Sequence, residues 1–186
     1  MVSLVDLWLP ILLSAVLVFL ASSVIHMVLH KWHSADFKRF AAEDAVMDAL
    51  RPFNLGPGDY AAPLPESMAH MSSAEFRAKQ ARGPTFALTI LTNLSMGRNL
   101  LKWFLYSIVV ALFAAYVASL GLPAGASYMT VFRVTSSVAF AGYALALWQN
   151  WIWYSRSLGY TVRTTIDGLV YGLLTGGAFG WLWPSL

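Results

Sequence analysis

The chain has 186 residues, 58% apolar and only 11% charged, with a net charge of +3 and no cysteine. Soluble domains carry nearer 25% charged residues, so the deficit points to lipid as solvent. The missing cysteines exclude disulfides, thiolate metal sites and a cysteine nucleophile.

These totals predict an all-α integral membrane protein with four transmembrane helices. Span one covers residues 4–29. Leu7 to Val28 is free of charge, and at 1.5 Å per residue it measures about 33 Å, enough to cross a bilayer. It is too long for a secretory signal and has no Lys or Arg before it, so it reads as a retained span. A polar segment of about 67 residues follows, 31–97. Within it, Ser34 is expected to cap a helix over 35–51, which Pro52 stops. Residues 54–65 are rich in Gly and Pro and read as irregular. Ser72-Ser-Ala-Glu75 reads as a capping box opening a helix to Arg82, ended by Gly83-Pro84. Residues 85–94 are apolar but too short to span, which suggests an extended or interfacial stretch.

Span two is expected at 99–120, with Ala111, Ala115 and Ser119 in one small-residue stripe. An uncharged turn, 121–127, leads to span three at 128–150. An aromatic connection then reaches span four at 164–183. Span four carries Gly168, Gly172, Gly176 and Gly180, four apart and so on nearly one face. That bare groove suits close helix packing, either inside the chain or in a homo-oligomer; the matching stripes in spans two and three favour the former. All eight tryptophans fall at predicted span ends, as in an aromatic belt. Nine of the twelve basic residues lie between Lys31 and Lys102, with Arg156 and Arg163 in the last connection. The positive-inside rule then makes both segments cytoplasmic and puts both termini outside. Seven of the nine acids share the large segment, so it is no nucleic-acid surface.

No strong catalytic motif occurs. Gly56-Pro-Gly58-Asp59-Tyr60 lacks the phosphate-loop pattern, and there is no H-E-x-x-H. The metal candidates are His26, His30 and His33. They share one face if the helix continues, and Asp36, Glu43, Asp44 or His70 would complete the shell. A haem would need one of these imidazoles and a large apolar slot. Met68, His70 and Met71 together offer a copper(I) donor set. Arg133 and Asp167 are the charges inside spans, hence functional candidates. Asp6 is the expected partner of Arg133, and Arg163, Arg98 or Lys102 that of Asp167.

Trp8-Leu-Pro-Ile-Leu-Leu-Ser14, Ile25-His-Met-Val-Leu-His30 through Trp32-His33 to Asp36, Glu43-Asp44-Ala-Val, Gly56-Pro-Gly-Asp-Tyr60, and Asp167-Gly-Leu-Val-Tyr-Gly172 with Phe179-Gly-Trp-Leu-Trp183 together resemble a group of small bacterial inner-membrane proteins without an established activity. The resemblance implies bacterial inner-membrane residence and assigns no functional residue. The expected function is a non-enzymatic accessory or scaffold protein with the cytoplasmic segment as its interaction surface. The alternatives are a metal- or haem-binding membrane protein and a small homo-oligomeric channel or transporter. The expected partners are the bilayer and a membrane protein or a second copy of the chain.

Overall fold

The computed structural model describes residues 2–91 and 95–185. The chain divides into two compact units, residues 1–38 with 96–186, and residues 39–95.

The first unit is helical: α1 (Trp8–Ser23), α5 (Met96–Gly121), α6 (Tyr128–Tyr143), α7 (Trp148–Tyr154) and α8 (Leu158–Leu182). The helices α1, α5, α6 and α8 form a ring in that order, with α8 packed against α6 and closing onto α1. Ser127 and Ser157 cap α6 and α8, each hydroxyl accepting the N–H three residues on. Three stretches are long and apolar enough to cross a membrane: Trp8–Val28, Met96–Gly121 and Tyr128–Tyr154. The last of these is α6 continued through a 3-10 turn, Leu145–Leu147, into α7. α8 has the length, 25 residues, but its glycines, threonines and Asp167 leave it less apolar. It begins at Leu158, earlier than expected, so Arg163 lies within the helix rather than at its start.

Side chains in this unit are arranged as lipid demands. α5 buries Ser107, Ala111, Ala114, Ala115 and Ala118, and turns Leu105, Leu112, Phe113 and Leu120 outward. Small residues inside let the backbones approach, and large apolar ones face the solvent, which is sensible only where the solvent is hydrocarbon. Buried hydroxyls are returned to their own helices: Ser14 to Ile11 O, Ser107 to Trp103 O, Thr135 to Val131 O, Thr175 to Tyr171 O.

Gly168, Gly172, Gly176 and Gly180 of α8 face α6 and the residue that ends it, Ala144. A Cβ on Gly168 would sit 2.7 Å from Ala144 Cβ, and one on Gly172 would sit 3.0 Å from the Ser136 carbonyl oxygen. On Gly176 it would lie 2.8 Å from Ser136 Cβ and 2.9 Å from the Phe132 carbonyl oxygen, and on Gly180 2.8 Å from the Tyr128 ring. These pairings run antiparallel, from Ala144 back to Tyr128 as α8 advances from Gly168 to Gly180.

The second unit is not all helix. It contains α2 (Glu43–Leu50), α3 (Met68–Met71), α4 (Ala74–Arg82) and an antiparallel pair, β1 (Gly58–Ala62) with β2 (Phe86–Ile90). Tyr60 stands opposite Leu88, and the Thr89 hydroxyl donates to Asp59 (2.8 Å). The stretch expected to be irregular therefore supplies a strand, and the apolar stretch after Pro84 is its partner; Thr92, Asn93 and Leu94 lie outside the described residues. The expected helix over 35–51 is formed only over α2, because Ser34 turns back to bond Lys31 O instead of capping. The cap of α4 is Ser73, one residue later than expected, and Phe76 fills the core of this unit at 2% exposure.

Gly176→Ala places a Cβ against α6 backbone that cannot move without shifting the helix. Overpacking of this kind costs about 1–3 kcal/mol. Gly177→Ala meets only the Tyr128 hydroxyl at 3.9 Å and should leave stability equal or slightly raised. Thermal unfolding of both variants in detergent checks the contrast, and equal losses would show that the α6 contact is not limiting.

Candidate functional site

The site lies where the end of α1 meets the first turns of α8, wholly within the first unit. α1 does not continue as an α-helix past Ser23. It widens into a π-helical turn, Val24–Val28, breaks at Leu29 (φ −91°, ψ 39°), and ends in a 3-10 turn, His30–Trp32. Such π-turns are rare and cluster at functional sites. Here the turn changes which residues share a face. His30 is not among the convergent groups, which corrects the expectation of three convergent imidazoles; it is exposed, as is His26. His33 folds back and stacks on His26, ring centroids 4.5 Å apart and 23° from parallel.

The partner of His33 is Asp167, 4% exposed on α8. The His33 Nε2 lies 2.8 Å from Asp167 Oδ2, and the Trp32 indole N–H donates to Asp167 Oδ1 (2.9 Å). Among the described residues the ion-pair partner of Asp167 is thus His33, in place of the expected Arg163, Arg98 or Lys102. Arg163 instead donates to Asp36 Oδ1, from Nε at 2.9 Å and again from a terminal nitrogen. Asp36 Oδ2 faces His33 Nδ1 at 2.6 Å. The chain of contacts reads Arg163, Asp36, His33, Asp167, Trp32, with His26 stacked beside it.

His33 is the centre. Both of its ring nitrogens face carboxylate oxygens, and both contacts are hydrogen bonds only if both nitrogens carry protons. With neutral imidazoles the group sums to −1: two carboxylates against one guanidinium. It therefore calls for one further cation in this half-buried place, a proton on His33 or a metal ion. The side-chain atoms of His26, His33 and Asp167 that can ligate lie within 4.8 Å of one another. Zinc–ligand bonds are about 2.0–2.2 Å, so side-chain shifts of about an ångström would close the set on one ion. The surroundings also match a metal centre. Asp36 would hold His33 by Nδ1–H while Nε2 ligates, and Trp32 would hold one Asp167 oxygen while the other ligates.

The remaining candidates lie elsewhere. Asp36 is brought to the site, but both its oxygens are already engaged, so it orients His33 rather than offering a free ligand. His70 belongs to the second unit, where its Nδ1 accepts the Glu66 N–H and its ring packs edge-on against Phe76. Met68 is exposed and Met71 partly so. Arg133 is exposed on α6, and Asp6 accepts the Ser3 N–H, so these two form no ion pair among the described residues. Two surface hollows, of about 250 and 300 Å³, are lined by Leu4, Leu112, Phe113 and Tyr116 and by Met47, Leu50, Arg51, Asn54, Leu55 and Ile90. Neither is lined by a histidine. Asp167 as a ligand and Trp32 as its partner were the residues missed. The available signal was depth: Asp167 sits one turn inside span four, level with the end of span one.

No family model, curated protein or solved structure matches the chain.

Burial pushes the Asp36 carboxyl up, but the Arg163 guanidinium and the His33 ring outweigh it and hold it below its ordinary 3.8. A depressed carboxyl contributes stability in full above its unfolded value and loses it as pH falls through the folded one. The stability gap between wild type and Asp36→Asn should therefore be constant above about pH 5 and shrink below about pH 4. Unfolding midpoints measured across that range decide it, and a gap that widens on acidification contradicts the assignment.

Proposed function

We propose that this is a four-span protein of a bacterial inner membrane that holds one divalent first-row metal ion through His26, His33 and Asp167. The observation that carries this reading is the convergence of two imidazoles and a carboxylate from segments some 134 residues apart, with an orienting partner in place for His33 (Asp36) and for Asp167 (Trp32). Two histidines and one carboxylate suit zinc or iron(II). The fourth span is α8: at 1.5 Å per residue its 25 residues reach about 37 Å, and it closes the ring of three apolar helices. Both termini lie outside by the charge distribution, and residues 39–95 form a cytoplasmic interaction surface. The bacterial inner-membrane setting rests on the resemblance of the sequence segments.

A second reading has its own support. The polar groups of the cluster also satisfy one another with a proton in place of the metal. The cluster is then a clasp between α1 and α8 in a non-enzymatic scaffold protein. A channel or homo-oligomer has less behind it, because α6 fills the glycine groove and the buried hydroxyls are bonded to their own helices.

Purified protein loaded with zinc or cobalt(II) and analysed for metal should hold about one ion per chain on the metal reading. His33→Ala and Asp167→Ala should abolish binding, and Asp36→Asn should weaken it by about 10–100-fold. His30→Ala and His70→Ala should leave it unchanged. Protein that stays metal-free and spectrally silent after loading supports the clasp.

A further inference from the structure

Three protein ligands do not fill a first-row metal. Zinc takes at least four and iron(II) up to six. The neighbouring groups cannot supply the rest. His30 is not part of the convergent group, and both Asp36 oxygens are held, one by His33 and one by Arg163. One Asp167 oxygen is held by Trp32. An open position is therefore left for a ligand from outside the chain.

Directly inward of the site lies a layer of aromatic rings: Trp103 and Tyr106 of α5, Tyr143 of α6 and Tyr171 of α8, with successive ring centroids 5.4–6.0 Å apart. The polar ends of two are committed. The Trp103 N–H donates to Ser22 Oγ (2.8 Å), and the Tyr106 hydroxyl donates to Gly142 O (2.7 Å). That of Tyr171 is not. Tyr171 is 4% exposed, and its hydroxyl is the buried side-chain polar atom left without a partner among the described residues. An orphaned buried hydroxyl is costly and calls for an explanation.

Position supplies one. Tyr171 follows Asp167 by four residues, so the two share a face of α8. Helical side chains lean toward the helix N-terminus, which tips Tyr171 back toward the Asp167 turn. The Tyr143 ring packs edge-on against that of Tyr171, centroids 5.4 Å apart, and the Tyr143 Cβ lies beside Gly168, next to Asp167.

We propose that the open position of the metal takes a small oxygen or anionic ligand, water, hydroxide or a compact anion, and that the Tyr171 hydroxyl donates a hydrogen bond to it. This rests on the metal reading above. It makes the site one that binds and orients a small molecule, in contrast to a closed structural metal site.

The test uses full-length protein in detergent, loaded with cobalt(II) and titrated with azide while the visible bands are followed. Wild type should bind about one cobalt and change its bands with azide. Tyr171→Phe should bind cobalt within about twofold of wild type and azide about tenfold more weakly, the loss expected for one hydrogen bond to a charged group. The metal-free Tyr171→Phe protein should unfold at the same temperature or higher, because an unpaired hydroxyl has been removed. If that variant fails to fold, 3-fluorotyrosine placed at 171, a stronger donor on the same ring, should tighten azide. Cobalt binding with no azide response overturns the open position. Equal azide affinities with and without the hydroxyl, or with and without fluorine, overturn the role of Tyr171. Failure to bind cobalt at all overturns the metal reading and this inference with it.

Discussion

Where Gly176 meets α6, the nearest α6 atoms lie closer than any Cβ tolerates, and the same holds at Gly168 and Gly180. This absence of side chains on one face of α8 sets the position of the helix. α8 lies close against the α6 backbone from Gly168 to Gly180. Its other flank then faces α1, and the residues there are placed by that same contact. Asp167, next to Gly168, is held at the level where α1 ends. The packing face and the candidate site are thus two consequences of one contact. In lipid there is little hydrophobic gain in joining helices, so such close packing carries much of the association.

Some of this was legible in the sequence because it depends on local periodicity. The apolar lengths gave the three long helices, and the four-residue glycine spacing gave a bare face. The small residues of α5 turned inward as their stripe suggested, with Ser119 left at the edge. The rest depends on geometry that no local pattern carries. The placing of His30 with His26 and His33 assumed continuous 3.6-residue turns. The π-turn at Val24–Val28 and the break at Leu29 altered the phase by enough to expel one imidazole and return another. β1 was missed because Gly58, Asp59, Ala61 and Ala62 are poor strand formers, and its partner lies more than twenty residues on. The partners of Asp167 were missed because nearby arginines and lysines were the electrostatically obvious choice. Arg163 sits one turn before it on the same helix, yet its guanidinium reaches across to Asp36.

That choice has a physical logic. If Arg163 neutralised Asp167 directly, His33 would have no reason to approach either, and the end of α1 would be free. With Arg163 on Asp36, the balance at Asp167 is left to groups that are not permanently charged: a neutral indole N–H and an imidazole. The arrangement keeps the site one positive charge short unless a proton or a metal ion arrives. A permanently paired Asp167 would offer nothing to a metal, whereas an unpaired one in a half-buried place would be costly to keep. The His33 bridge lies between these limits, since an imidazole can give up its Nε2 proton and keep its Nδ1 hydrogen bond to Asp36.

The same accounting separates the site from the rest of the bundle. Elsewhere in the helices, the buried serine and threonine hydroxyls donate to carbonyls one turn back in their own helix. Around Asp167 the bonds cross between α1 and α8, and the adjoining aromatic layer leaves one hydroxyl, that of Tyr171, without a partner. Uncommitted polarity inside a membrane bundle is disfavoured for structure alone. A clasp between two helices would need only the Trp32–Asp167 and His33–Asp167 bonds. It would not need His26 beside His33, nor an unpaired hydroxyl one turn deeper on the same face. Those two features favour a site with a ligand over a purely structural contact.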